Sequence, residues 1–388
     1  MNFSKKFGNM DANILIDLDI AKNKLEAQGR EIINLSIGTP DFKPDKFVMD
    51  AVSEAFKNPD NYKYGMSESK ELLSAVKAWY KRRYNVTLND DNIAAVNGSQ
   101  EGIAHIAFPI CDKDDIVLVP DPCYQIFSFG PIISGAKLEY MPLKKENNYL
   151  IDFDAIDKEV AKKAKMMIVS YPNNPTTAHA DKPFYEKLVA FAKENDIIVI
   201  HDNAYSELIY DYEPGMSFLE IDGAMDVGIE FNSLSKSYNL TGLRLSFALG
   251  NSEIIKRFKK FRSQIDYGIC MGIQTAAIAA LNGPQDILER NRKEYKKRRD
   301  TLCNGLNDIG WKVPMSDSTM FCWLPIPPNY TSSEKFCFDL LEMAGVVMVP
   351  GISFGKEGEG YVRAALVYPT ETLQKAIANI KASNILNK

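Results

Sequence analysis

Short apolar runs, rich in β-branched side chains, recur along the chain and are separated by longer stretches of helical period. A strand with one wet face alternates apolar and polar residues. Runs that are apolar almost throughout belong to strands covered on both sides, and strand alternating with helix points to a largely parallel sheet. The predicted strands are Ile93–Asn97, Ile116–Pro120, Met166–Ser170, Ile197–His201, Val227–Asn232 and Leu245–Gly250. The predicted helices between them are Glu68–Tyr84, Gln100–Ile110, Asp181–Glu194 and Glu253–Gln264. The fold class is therefore α/β.

At 388 residues the chain exceeds what one core usually serves. The texture changes at the turn signal Gly283-Pro284. A long charged helix is predicted over Pro284–Ile309, then strand Thr319–Leu324, helix Ser333–Ala344, strands Val346–Pro350 and Tyr361–Leu366, and helix Glu371–Ala382. The expected organisation is an arm and small-domain segment over 1–44, a large domain over 45–283, and a small α+β domain over 284–388.

Several function classes are disfavoured. A net charge of −5 gives no reason to expect a nucleic-acid or anionic-membrane partner. The basic runs Lys81-Arg82-Arg83 and Lys296–Arg299 read as solvated helix faces. Six cysteines lie far apart, none in a CxxC pair, and there are three histidines, so no metal site is expected. Nothing suggests a disulfide framework. Met1–Met10 is polar with no apolar leader, and no apolar run is long enough to cross a bilayer. A cytoplasmic location is the expectation.

Ligands in open α/β sheets bind beyond the carboxyl ends of strands. The unusual residues fall there. Gly98-Ser99-Gln100 follows the first predicted strand and opens a helix. Tyr171-Pro172-Asn173-Asn174-Pro175-Thr176, Asp202 with Tyr205, and Ser233-Leu234-Ser235-Lys236 follow later ones, and Arg244 precedes the last. Singly each has a bland reading: a solvated lysine, an aspartate cap, an Asn-Pro turn, a structural ion pair. Glu101, in the first turn after Ser99, would repel an anion unless it points away. Together they make one inventory. Lysine offers an amine once its charge is disfavoured. Asp202 is an anion that could keep a pyridine nitrogen protonated. Tyr205 and Asn174 offer donors for a ring oxygen. Ser99, Gln100, Ser233 and Arg244 suit a phosphate.

Ser233-Leu234-Ser235-Lys236 with Arg244 eight residues beyond the lysine resembles the cofactor-lysine segment of class I/II, fold type I aminotransferases. Asn173-Asn174-Pro175-Thr176 resembles their N-P-T segment, Asp202-Asn203-Ala204-Tyr205 their D-x-x-Y segment, and Ile37-Gly38-Thr39-Pro40-Asp41 the turn that closes over substrate. The resemblance runs from about residue 30 to the C-terminus. It implies a large domain with a mostly parallel seven-stranded sheet plus a smaller α+β domain, and pyridoxal 5'-phosphate as cofactor. It implies ping-pong transfer of an amino group between an amino acid and a 2-oxo acid. Lys236 would hold the cofactor covalently and then move the substrate proton. Asp202 would pair with the ring nitrogen, and Tyr205 and Asn174 would bond the ring oxygen. Tyr124 would stack on the ring, and Ser99, Gln100, Ser233 and Arg244 would hold the phosphate. Arg363 would fork the substrate carboxylate beside the Gly38 backbone. A homodimer is implied, with Tyr64 reaching the neighbouring subunit's phosphate.

The wording over His201–Ser233 and Gly351–Gly358 is similar to the LL-diaminopimelate aminotransferase-like branch. Departures at Cys123-Tyr124-Gln125, at Leu243-Arg244 and over Asp266–Met271 border the expected pocket and leave the substrate open. An alternative with the same cofactor is a carbon–sulfur β-lyase of the cystathionine lyase type. A penicillin-recognising serine enzyme, suggested by Ser233-x-x-Lys236, lacks a following K-[TS]-G. A ligand-sensing transcription regulator would need a DNA-binding module that is not evident. The glycines over 355–360 do not have dinucleotide-binding spacing and read as a flexible loop.

Overall fold

The structure, a computed structural model, describes residues 14–387. Residues 1–13, including the stretch read for a leader and the start of the predicted arm, lie outside the described residues. Strand β1 (Ile33–Asn34) precedes the large sheet. That sheet is built from β2 (Ile93–Val96), β3 (Ile116–Asp121), β4 (Lys137–Pro142), β5 (Ala164–Ser170), β6 (Ile198–Asn203), β7 (Gly228–Ser233) and β8 (Ser246–Gly250). The remaining strands are β9 (Phe321–Pro325), β10 (Val346–Val347), β11 (Val349–Pro350) and β12 (Tyr361–Ala365).

The seven strands lie in the order β2-β8-β7-β6-β5-β3-β4. All pairings are parallel except those of β8, which runs against both its neighbours. The sheet is covered on both faces, as the apolar runs required. Ile93 and Ala95 enter one core with Met167, Val169 and Val199. The alternate residues Ala94 and Val96 enter the other with Met166, Ile168 and Ile200. Because successive side chains point to opposite faces, His201 lies on the side of Val199 and Asp202 on the side of Ile200.

Each predicted strand and helix is present, with ends shifted by a few residues. β6 runs on to Asn203, so Asp202 is a paired strand residue opposite Ser170 and Phe231, not the first residue beyond the strand. Sequence reading missed β4, whose Lys137, Glu139 and Tyr140 are exposed because it is the edge strand and has little apolar signal. It also missed helices Ile14–Ala27, Lys46–Ala55, Ile126–Ser134 and Met271–Asn282. Ile126–Ser134 contains Pro131, which normally argues against a helix interior. The predicted strand Val346–Pro350 is two short strands serving different sheets: β10 pairs with β1, and β11 pairs with β12.

A further core gathers Leu18, Ile33 and Leu35 with Tyr295, Leu302, Phe336 and Leu373 from the last third of the chain. The basic runs depart from a purely solvated face. Arg298 and Arg299 are buried in helix Asp286–Asp308. Arg298 lies over Phe42, 4.4 Å from the ring centre, and pairs with Asp41 at 2.6 Å; Arg299 pairs with Asp211 at 2.8 Å. Arg83 pairs with Glu207 at 2.8 Å. Partners on other segments draw these arginines inward, which the helix's own charge pattern does not reveal. The expected flexible loop over 355–360 is instead tightly folded. Gly351 and Gly358 stand back to back, and a Cβ on either would strike the other's backbone.

Candidate active site

β2, β3 and β5–β7 end at the same edge of the sheet, and antiparallel β8 begins there, with Ser233 opposite Ser246. This edge forms a cavity of about 340 Å³. Its lining includes Gly38, Ser99, Gln100, Tyr124, Asn174, Asp202, Tyr205, Ser233, Lys236, Arg244 and Arg363. Sequence reading put all of these in the site. Tyr64 does not line it: it is 76% exposed, and its ring lies tilted against Tyr267, itself exposed, with ring centres 4.9 Å apart. The cavity also includes Thr39, Ala204, Ser235, Thr241 and Phe321. Most of these sit inside the segments the sequence singled out. Phe321 had no sequence signal beyond its strand.

At one end lie phosphate-sized donors. Helix Ser99–Ile106 begins after Gly98, whose φ of 89° is open to glycine and strained for other residues. A Cβ on Gly98 would also strike the Arg244 guanidinium. Arg244, at a left-handed φ of 52°, donates through Nη1 to Thr241 O at 3.0 Å. Ser233 caps the short helix Leu234–Ser237. Its Oγ accepts from Ser235 N at 3.2 Å and from Ser246 Oγ at 2.9 Å, which leaves its own hydrogen to donate. Glu101 does point away: Oε2 accepts from Asn97 N at 3.2 Å and Oε1 meets His105 Nδ1 at 2.7 Å, with Arg262 Nε at 3.5 Å. Its charge is therefore spent away from the cavity, leaving the positive helix start for an anion.

In the middle stand the acid and the amine. Burial, aided by the nearby Glu230, pushes the Asp202 carboxyl up to about 7. Burial, with the positive Arg363 and Arg244, brings the Lys236 amine down to about 8. Lys236 Nζ donates to Gly38 O at 2.5 Å, tying the lysine to the predicted closing turn. Tyr205 is buried, its hydroxyl held neutral by that burial. Tyr124 is half-buried, and its hydroxyl is raised by burial and by Asp202.

At the other end Arg363 is buried without a carboxylate, and burial lowers it to about 10. Its guanidinium lies 4.1 Å from the centre of Phe321 and 4.8 Å from that of Phe354. Nη1 donates to Asn174 Oδ1 at 2.8 Å, Nη2 to Ser36 O at 3.1 Å, and Nε has no partner among the described residues.

The pocket fits pyridoxal phosphate on one observation above the rest. Asp202 Oδ1 is buried and has no hydrogen-bond partner among the described residues, a costly arrangement unless a cationic N–H faces it. A protonated pyridine nitrogen is such a group. Among the described residues no cluster of His, Cys, Asp and Glu could hold a metal, and no helix is long and apolar enough to cross a membrane.

Comparison with known proteins agrees. The family described as aminotransferase class I and II matches residues 30–380. An LL-diaminopimelate aminotransferase from Dehalococcoides mccartyi is 41% identical over 98% of this chain and 98% of its own. One from Aquifex aeolicus is 42% identical over the same shares. The solved structure of substrate-bound BacF from Bacillus subtilis superposes with a TM-score of 0.95 at 37% identity, covering 99% of this chain and 98% of that one.

Proposed function

The chain belongs to the class I and II aminotransferases, and from that membership we propose that LL-diaminopimelate is its amino donor and that Lys236, Asp202 and Arg363 carry the chemistry. It is a pyridoxal-phosphate-dependent aminotransferase. The donor is proposed from the names of the curated relatives. The lyase alternative gains no support from them.

The residue roles rest on the unpaired oxygen of Asp202, a residue lining the pocket that also holds a lysine with a lowered pKa. When bound, the cofactor supplies an aldehyde carbon that bonds amines covalently and a ring that withdraws electrons. Asp202 would hold the proton on the ring nitrogen. Asn174 would present its amide N–H, and Tyr205 its hydroxyl, to the ring oxygen. Ser99, Gln100, Ser233 and Arg244 would grip the phosphate, and Tyr124 would cover the ring. Arg363 would orient the amino acid through its carboxylate, setting the Cα–H toward Lys236 Nζ, which takes up that proton.

We further propose that the chain divides into a large unit over 45–283 and a small one formed by 1–44 with 284–388, with the site between them. We also propose that it works as a homodimer. The exposed side chains of Tyr62, Tyr64, Met66, Ile265 and Tyr267 support a covered surface there. Six unpaired cysteines suit a reducing cytoplasm.

Borohydride reduction and peptide mapping test the lysine assignment: the pyridoxyl adduct is expected on the peptide bearing Lys236, and an adduct elsewhere refutes it. A single-turnover screen of amino acids, following the visible cofactor band, tests the donor. LL-diaminopimelate is expected to convert it fastest, and a faster unrelated amino acid overturns the choice.

A further inference from the structure

Across the sheet from the cavity lies a buried polar cluster that these roles do not use. His201 and Glu230 face each other in the β6–β7 register, and both are fully buried. Glu230 Oε1 accepts from Tyr80 OH at 2.8 Å and Ser217 Oγ at 2.9 Å. Its Oε2 accepts from Phe218 N at 2.9 Å and meets His201 Nδ1 at 2.9 Å. A carboxylate is an acceptor with room for four such partners. Phe218 N is necessarily a donor, and the Ser217 hydroxyl already accepts from Leu219 N at 3.1 Å, so its hydrogen is free for Glu230. Four donors suit the carboxylate form, and with Glu230 as that anion His201 Nδ1 carries hydrogen.

The other ring nitrogen decides the charge. His201 Nε2 lies 3.2 Å from Tyr185 OH, and that hydroxyl lies 3.3 Å from Tyr171 O. The Tyr185 hydroxyl has a single hydrogen. If Nε2 also carries hydrogen, it donates to the Tyr185 oxygen, which donates onward to Tyr171 O, and every contact is made. If Nε2 is bare, Tyr185 satisfies either the ring or the carbonyl, and the other contact fails. Buried polar groups are almost always paired.

We propose that His201 is doubly protonated in the folded enzyme, and that its ion pair with Glu230 makes it a positioning residue for the Asp202 carboxylate. Without that charge Glu230 would stand as an uncompensated anion one strand from Asp202. Glu230 already acts on Asp202 in the direction that favours its protonation. Other titratable groups that feel Glu230 include Tyr80, Tyr84, Tyr185 and Glu220. They are neutral or acidic and cannot offset it. Arg83, close by, is engaged with Glu207 and Gly215 O. The inference rests on the role proposed for Asp202.

Nitrogen-15 NMR of the holoenzyme tests it directly, because the chain has only three histidines. Both His201 ring nitrogens are expected at N–H shifts in the folded holoenzyme. One bare nitrogen overturns the proposal. A second measurement is the pH midpoint of the visible cofactor band. His201→Gln leaves a net negative charge and is expected to raise the midpoint by about half to one unit. His201→Gln with Glu230→Gln is neutral and is expected to restore it. No shift in the single variant, or an equal shift in the double, refutes the electrostatic role. A wild-type enzyme with no cofactor band would instead refute the assignments of Lys236 and Asp202, so the two failures are distinguishable.

Discussion

Asn174 turns its carbonyl oxygen toward Arg363: guanidinium Nη1 donates to Oδ1 across 2.8 Å. Because a guanidinium can only donate, this contact fixes which way the amide points. Its NH2 is left as a donor, on a residue that lines the cavity. Arg363 keeps unused N–H groups as well, including the partnerless Nε. One hydrogen bond thus links the residue proposed for the ring oxygen to the residue proposed for the substrate carboxylate.

Arg363→Lys replaces a planar fork with a point charge and loses the stacking on Phe321 and Phe354. Losing a charge-assisted hydrogen bond is expected to raise KM for the amino acid by about 10- to 100-fold. Steady-state kinetics checks this; an unchanged KM would remove Arg363 from the carboxylate site.

Asp202 should destabilise the cofactor-free protein. Its carboxyl is raised to about 7 in the fold, chiefly by burial, above the unfolded value of about 3.9. The protonated form favours folding. That contribution is whole below the unfolded value and is lost as pH rises through 7. Cofactor-free Asp202→Asn, which cannot ionise, should therefore gain on wild type as pH rises from about 4 to above 7 in urea titrations. Its affinity for the cofactor should fall. Parallel pH curves for the two proteins would contradict the buried, unpaired carboxylate.

The Lys236 amine must be neutral to capture an aldehyde. With its value lowered to about 8 by burial, Arg363 and Arg244, the neutral fraction grows as pH rises through 8. The rate at which the cofactor-free enzyme takes up pyridoxal phosphate should follow that midpoint in stopped-flow absorbance. A midpoint near the ordinary lysine value of about 10.4 would mean the amine is solvated.

Gly98→Ala combines a strained φ of 89° with a methyl group driven at Arg244. Strain of this kind costs about 1–3 kcal/mol. Cofactor affinity should fall about tenfold or more, while catalysis by the saturated enzyme changes less. Equilibrium titration of the cofactor-free variant measures it, and wild-type affinity would mean that Arg244 is not needed in this pose.

Tyr64 serves a neighbour or serves nothing in this pocket. Co-expressed Tyr64→Ala and Lys236→Ala chains should form mixed dimers in which the lysine-bearing site receives Tyr64 from the other subunit. Activity above that of either variant alone is expected. Its absence in verified mixed dimers would reject the exchange.

Much was legible in sequence order because the chemistry is local. Continuous apolar strands specify a two-sided sheet, and in such a sheet strand ends converge. Residues 98–100, 174, 202 and 233–244 thus had to approach one another once the strands were found. Composition and period could not say which way a side chain points or what answers its charge. Glu101 looked hostile to an anion until His105, Arg262 and Asn97 were seen to turn it away. Arg298 looked solvated until Asp41 and Phe42 were seen beside it. The unpaired oxygen of Asp202 and the chain of contacts through His201 were invisible in the string. Burial and hydrogen-bond partnership depend on segments distant in the chain, and only folding sets those distances.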